Sequence, residues 1–277
     1  MKTSINLINK LKSGFAAIVI PLEIVVAILV YIYVLGNPAN FQGNDPANHP
    51  LPGNYLGIIY KGGFIVPLLL ALLMMVLTFA IERIFTIIKA YGRGNVKHFV
   101  RTVKQYLGEG KLYEALALCD QQKGSVANVV RAGLLKYEEM KDNFRLDQEK
   151  KMLTIRKDIE ETTQLEMPML EKNLVLISTI ASIATLMGLL GTVMGMIKAF
   201  AALATAGAPD AVALANGISE ALINTALGIG TSALAIICYN YFTSRIDALT
   251  YSIDEAVYSI VQHFAAADSS EDHKVKL

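Results

Sequence analysis

No tryptophan occurs among the 277 residues of this chain, and only two cysteines do, Cys119 in a charged segment and Cys238 in an apolar one. That separation argues against a disulfide framework, and neither thiol has a His or Cys neighbour at metal-ligand spacing. Both read as packing residues. Neither sign of charge is in excess. The formal net charge is +1, and no basic cluster with interleaved aromatics is present, which argues against a nucleic-acid partner. The glycine-bearing stretch GLLGTVMG at 188–195 lacks the Lys-Ser/Thr ending of a phosphate loop. A Ser, His and Asp set is missing as well, and His49 stands alone in its segment. These absences predict a protein that is not an enzyme and holds neither cofactor nor metal, so its energy must come from an ion gradient or a partner.

Apolar residues are abundant instead: they make up 53% of the chain, and the mean hydropathy is +0.43. Both values lie outside the range of an ordinary soluble domain and predict an integral membrane protein. Residues 15–35 carry one charge, Glu23, and are long enough to span about 30 Å of hydrocarbon as a helix. The run exceeds the roughly 7–15 apolar residues of a signal peptide and no A-x-A site follows, so it reads as an uncleaved anchor. Glu23 lies near its basic end and is expected to reach back to the interface. Residues 36–63 turn to Gly, Pro and Asn and read as a loop. Phe64 to Ile81 form the second span, closed by Glu82 and Arg83; Leu174 to Ile197 form the third, and Ala211 to Ser244 the fourth. Residues 202–210 make a tight link, so the last two spans are antiparallel neighbours. Lys198 is expected to snorkel, with its ammonium in water.

Between the second and third spans, residues 89–172 hold sixteen Lys and Arg against thirteen Asp and Glu. Val96, Phe99, Val100, Val103 and Leu107 recur there at helical spacing, which predicts amphipathic helices in water, with breaks at Gly108–Gly110 and Gly124–Ser125. The stretch 145–173 reads as one long helix entering the membrane, with Pro168 as a candidate kink. The predicted fold is therefore all-α and polytopic, with four transmembrane helices and a cytoplasmic helical domain. Its segments are 1–62 (first transmembrane helix and periplasmic loop), 63–90 (second helix), 91–172 (cytoplasmic domain), 173–245 (a pore-forming helix pair) and 246–277 (cytoplasmic helix and tail). Lys and Arg crowd residues 1–14, 83–172 and 245–277, while loops 36–63 and 199–211 have only Lys61, which places both termini inside.

Glu220 is the sharpest feature, an acid in an apolar span with no Lys or Arg near it in sequence. In hydrocarbon an ionisable side chain costs about 2.5–3.5 kcal/mol on insertion scales, so such a group usually faces a polar cavity and marks an ion path. At 100° per residue, Glu220, Asn224, Gly228 and Thr231 share one helical face, with Thr225 about 140° from Glu220. In the third span Thr185, Gly188, Thr192 and Gly195 fall close to one line, and Thr192 and Glu220 come to similar depth. The two stripes can face one another, which makes Glu220, Thr192, Thr225, Asn224, Thr231 and Thr185 the candidate ion pathway. For the glycines the simpler reading is helix packing, since Gly191-x-x-x-Gly195 is a small-xxx-small pattern.

GLLGTVMG at 188–195, followed by GISEALINTALGI at 217–229, resembles the MotA/TolQ/ExbB proton-channel family, closest to its ExbB and TolQ branch. The resemblance covers roughly residues 64–262. It implies that Thr192, Glu220 and Thr225 line a proton path in an inner-membrane homopentamer. It further implies that the ring encloses an ExbD- or TolR-like single-pass subunit and drives a TonB-like transducer for transport across the outer membrane. A TolQ-like role in envelope maintenance, or a non-conducting scaffold with Glu220 paired to a neighbour, are the alternatives. Two departures stand out: Asn224 occupies a position where a small residue is more usual, and the first helix precedes the usual three spans. That helix shows no polar stripe and is predicted to face lipid, so that removing residues 1–50 leaves the ring working.

Overall fold

In hydrocarbon every backbone N–H and C=O must be satisfied within the protein, so apolar runs of this length can only become helices. The computed structural model describes residues 15–141, 146–204 and 210–275, and of residues 264 and 266–275 only the helical backbone. Its helices are α1 (Phe15–Leu29, prolonged by a π-helical turn at Val30–Leu35), the short α2 (Tyr55–Tyr60), α3 (Val66–Tyr91) and α4 (Val96–Gly108). They continue with α5 (Leu112–Gln122), α6 (Gly124–Lys141), α7 (Gln148–Glu171), α8 (Leu174–Leu203) and α9 (Ala211–Val275). Among the described residues α1, α3, α8 and α9 are the helices long and apolar enough to cross a membrane. No strand forms there beyond an isolated bridge between Phe41 and Pro50. The chain is an all-α polytopic membrane protein. Two parts of the expected layout, the basic residues 1–14 and most of the link 202–210, lie outside the described residues.

The chain divides into two compact units, one made of residues up to Ile81 with Asn173–Asn240, the other of Glu82–Lys172 with Tyr241 onward. In the first, α1 leaves Ile18, Leu22, Val25 and Leu29 exposed on one side, as a lipid-facing helix should. Its other side is not apolar. Glu23 is buried and accepts a hydrogen bond from the Thr78 hydroxyl of α3. Its carboxylate therefore does not reach back to the interface, because a hydroxyl on the neighbouring helix supplies a nearer polar partner. Farther along, Tyr31 stacks on Tyr60 with ring centroids 4.7 Å apart and donates to the Tyr60 carbonyl oxygen at 3.1 Å.

The stretch 36–63, expected to be a loop, is held together through side chains. Asn40 donates to the carbonyl oxygens of Val34 and Leu35, and the Asn54 side chain donates to the Asn40 side-chain oxygen Oδ1 at 3.0 Å. Asn54 also caps α2, accepting from the backbone amides of Leu56 and Gly57. The Lys61 ammonium donates to the carbonyl oxygens of Pro46 and Ala47 and lies over the Phe41 ring. Burial pulls the Lys61 pKa below the ordinary lysine value.

In the second unit the expected helix breaks occur where backbone geometry demands them, at Gly110 (φ +71) and Gly124 (φ +84). Val96, Phe99, Val100, Val103 and Leu107 are all buried on one face of α4. Val130, Leu134, Ile155, Ile159, Leu249, Ile253 and Ile260, from α6, α7 and the later part of α9, supply much of the remaining core. The stretch 145–173 does not run on into α8. The α7 helix stops at Glu171, and Asn173 adopts a left-handed conformation, with Pro168 inside the last turn. Arg83, buried, caps that end by donating to the carbonyl oxygens of Met169 and Leu170 at 3.2 and 2.9 Å.

Candidate ion site

The α8–α9 pair is built on glycine. A Cβ on Gly188 would lie 3.0 Å from the Gly228 Cα, and one on Gly195 would lie 2.6 Å from the Gly217 carbonyl oxygen. At these points the two backbones touch, and this contact fixes the register of the antiparallel pair. The small residues thus serve packing. All else at the site follows from which side chains that register brings level.

On one side of the seam the Thr192 and Thr225 hydroxyls hydrogen-bond each other. Each hydroxyl has one hydrogen to give, so one of them donates across the seam while the other donates to its own helix, Thr192 to the Gly188 carbonyl (3.2 Å) or Thr225 to that of Ala221 (3.0 Å). The sequence-based stripe put Thr192 opposite the Glu220 face, and the structure corrects this. Thr192 meets Thr225, the residue on the other side of α9, because the glycine contact lies between the two faces.

On the opposite side, Glu220 does not stand alone. Lys198 of α8 reaches it, its Nζ 2.6 Å from Oε1 and 2.8 Å from Oε2. The ammonium therefore does not snorkel into water. Lys198 is one turn beyond the point where α8 passes Ala221, which puts a long cationic side chain within reach of a carboxylate 22 residues away. The Glu220 side chain is 10% exposed and that of Lys198 51%. Gly63 closes another side of the carboxylate. Its φ is +76, and a Cβ there would lie 2.6 Å from Oε1, so the turn before α3 can approach the acid this closely only as glycine.

Asn224 is fully buried and donates to the Gly62 carbonyl oxygen at 2.8 Å. Its amide thereby ties α9 to the turn before α3. Thr231 is buried as well, on the face it shares with Glu220 and Asn224. Thr185 is exposed and donates back to Ala181 at 3.4 Å, apart from both clusters. Lys198 is the site residue that sequence reasoning passed over. Its place beside Glu220 follows from the register that the packed glycines set, which brings 198 nearly level with 220.

Beside this site is a cavity of about 330 Å³ lined by His49, Lys61, Asn216 and Ser219 among others. It lies between residues 49–61 and the first turns of α9, with Ser219 adjacent to the acid. Among the described residues no group of three or more His, Cys, Asp and Glu comes together as a metal site.

Comparison with known proteins agrees with this architecture. Residues 121–255 match the family described as the MotA/TolQ/ExbB proton channel family. The chain is 27% identical over 184 residues to the Tol-Pal system protein TolQ of Pseudomonas aeruginosa, covering 64% of this chain and 80% of that protein. It is 29% identical over 195 residues to a protein described as a biopolymer transport ExbB homologue from Methanothermobacter thermautotrophicus, covering 70% and 65%. With TolQ of Haemophilus influenzae it shares 38% identity over 84 residues, 30% of this chain and 37% of that one. The last two matches thus span less than two thirds of those relatives. With four membrane-length helices and both glycine motifs packed into one helix pair, the chain is similar over residues 121–255 to the MotA/TolQ/ExbB proton channel family.

Proposed function

We propose that this chain is the ring-forming subunit of an inner-membrane complex that uses the proton motive force to energise a TonB-like partner. Glu220 is the ion-carrying group, and the Thr192–Thr225 pair is the polar lining at its level. The observation that carries this reading is a buried carboxylate inside an apolar span, held level with two hydroxyls by the α8–α9 register. Packing would accept an apolar residue there without the expense of desolvating an acid. The ring is a homopentamer around ExbD- or TolR-like single-span helices, whose own acid exchanges protons with Glu220. Both termini and the α4–α7 unit lie in the cytoplasm, and residues 36–62 face the periplasm.

The experiment is Glu220→Gln in the full chain, which keeps the shape and one acceptor oxygen for Lys198 and removes the charge. Gradient-driven work is expected to fail at a normal level of assembled protein; full activity in this variant overturns the reading. A TolQ-like role in envelope maintenance is the second reading, favoured by the match to TolQ of Pseudomonas aeruginosa over 80% of that protein's length. Rescue of a strain lacking either system separates the two. The Lys198–Glu220 pair also fits a non-conducting scaffold, in which no ion flux accompanies any partner.

A further inference from the structure

Arg83 interrupts the apolar run of α3 in sequence but does not end its lipid-facing surface. The guanidinium is buried and spent on Glu82 and on the carbonyl oxygens of Met169 and Leu170. Beyond it Ile84, Phe85 and Ile88 are exposed. Large apolar side chains exposed in a row mark a surface that something apolar covers. The residue types that suit a membrane–water boundary come later, Tyr91 at the end of α3 with Tyr241 and Arg245 beside it on α9.

These residues enclose one cavity of about 340 Å³. Ile84, Ile87 and Ile88 of α3 and Phe242 of α9 give it apolar walls. Tyr91 and Arg245 close the other end, about 10 Å along α3 from Ile84 at 1.5 Å per residue. The Tyr91 hydroxyl donates to the Arg245 carbonyl oxygen at 3.3 Å, and the guanidinium lies over the Tyr241 ring, 5.2 Å from its centroid. Among the described residues no carboxylate forms an ion pair with Arg245. An oriented guanidinium without an acid thus stands at the mouth of an apolar groove.

We propose that this groove is a binding site for an anionic phospholipid, with the phosphate on Arg245 and an acyl chain against Ile84, Ile88 and Phe242. The planar fork of a guanidinium matches two phosphate oxygens at once, and stacking on an aromatic ring fixes the plane in which it does so. Basic pockets where helices leave the hydrocarbon take anionic headgroups for this reason. A soluble anion would answer the arginine and leave the isoleucines uncovered, and a lipid without net charge would cover the isoleucines and leave the arginine unanswered. An anionic phospholipid does both. Seated there, it bridges α3 and α9 at their boundary with water. The site uses none of the residues of the ion path and stands whether or not the chain conducts.

The chain has no tryptophan, so a single one placed in the groove is its only indole. The test uses full-length Ile88→Trp in phosphatidylcholine vesicles mixed with either brominated phosphatidylglycerol or brominated phosphatidylcholine, whose acyl chains quench a tryptophan they touch. Ile18→Trp, on the exposed side of α1, is the reference. At position 88 the phosphatidylglycerol is expected to bind about fivefold more tightly than the phosphatidylcholine, the worth of one arginine beside an anionic headgroup. At position 18 the two lipids should quench alike. Adding Arg245→Gln to Ile88→Trp should abolish the preference while quenching by both lipids persists. Equal quenching at position 88, a preference that survives Arg245→Gln, or the same preference at position 18 overturns the proposal. Absence of quenching by either lipid also overturns it, since a protein chain then covers the groove. If Ile88→Trp fails to assemble, Phe85→Trp, on the next exposed side chain of α3, is judged by the same ratios.

Discussion

The side-chain amide of Asn224 donates to the carbonyl oxygen of Gly62 at 2.8 Å, so a residue within α9 holds the turn that leads the chain into α3. The next residue of that turn, Gly63, lies against Glu220. Position 224 therefore holds the turn whose next residue fronts the acid. Asn224→Ala leaves the Gly62 carbonyl buried and unpaired, which costs about 1–3 kcal/mol. Thermal unfolding of the detergent-solubilised protein should show this loss, and Asn224→Asp, which sets a carboxylate against a carbonyl, should be worse.

Thr192 and Thr225 each lie within hydrogen-bond distance of a carbonyl four residues earlier as well as of each other. Thr192→Val and Thr225→Val each remove one polar group at constant volume. Ion flux is expected to fall about fivefold in either variant, equivalent to one hydrogen bond of about 1 kcal/mol, with oligomer size unchanged. Normal flux in both would make the pair a packing contact.

Thr78 donates to Glu23, whose other carboxylate oxygen has no hydrogen-bond partner. Thr78→Val leaves the buried group without its donor and should destabilise the protein by about 1–3 kcal/mol, whereas Glu23→Gln retains an acceptor and should be close to neutral. The same contacts change what deleting residues 1–50 should do. The deletion removes Pro46 and Ala47, the acceptors of Lys61, next to the turn that fronts Glu220. Flux in the truncated chain is therefore expected to fall even where rings form, and flux at the full-chain level would show α1 and the loop to be peripheral.

Cys119 is buried in α5, and burial pushes its thiol pKa up to about 12 from an ordinary 9.0. The thiolate is the reactive form, so the folded protein should resist alkylation at pH 8 and react only on unfolding. The linkage sign follows. Because the folded pKa is raised, this group's contribution to stability is fully present below pH 9 and is lost as pH rises from 9 toward 12. A Cys119→Ala variant should show a weaker alkaline loss of stability over that window.

The proposed orientation places the cavity at Asn216 on the periplasmic side. Asn216→Cys in a Cys238→Ala background should react with a membrane-impermeant thiol reagent applied from outside to intact cells. Protection there, with modification only in inverted vesicles, would reverse the topology.

The positions of the spans were legible in the sequence because hydrocarbon leaves a long apolar run no choice but a helix. The breaks at Gly110 and Gly124 were legible because few other residues adopt the positive φ needed there. Glu220 could be singled out from composition alone, since an acid in such a run is costly wherever its partner lies. The partner itself could not be read along the chain. Lys198 meets Glu220, and Thr192 meets Thr225, because backbone contacts at Gly188 and Gly195 set the register of α8 against α9. A helical wheel shows which residues share a face but carries no information on which face meets which helix. The hydrogen-bond partners of Asn224 and Glu23 were hidden for the same reason: Gly62 and Thr78 are 162 and 55 residues away, and only the packed chain brings them within reach.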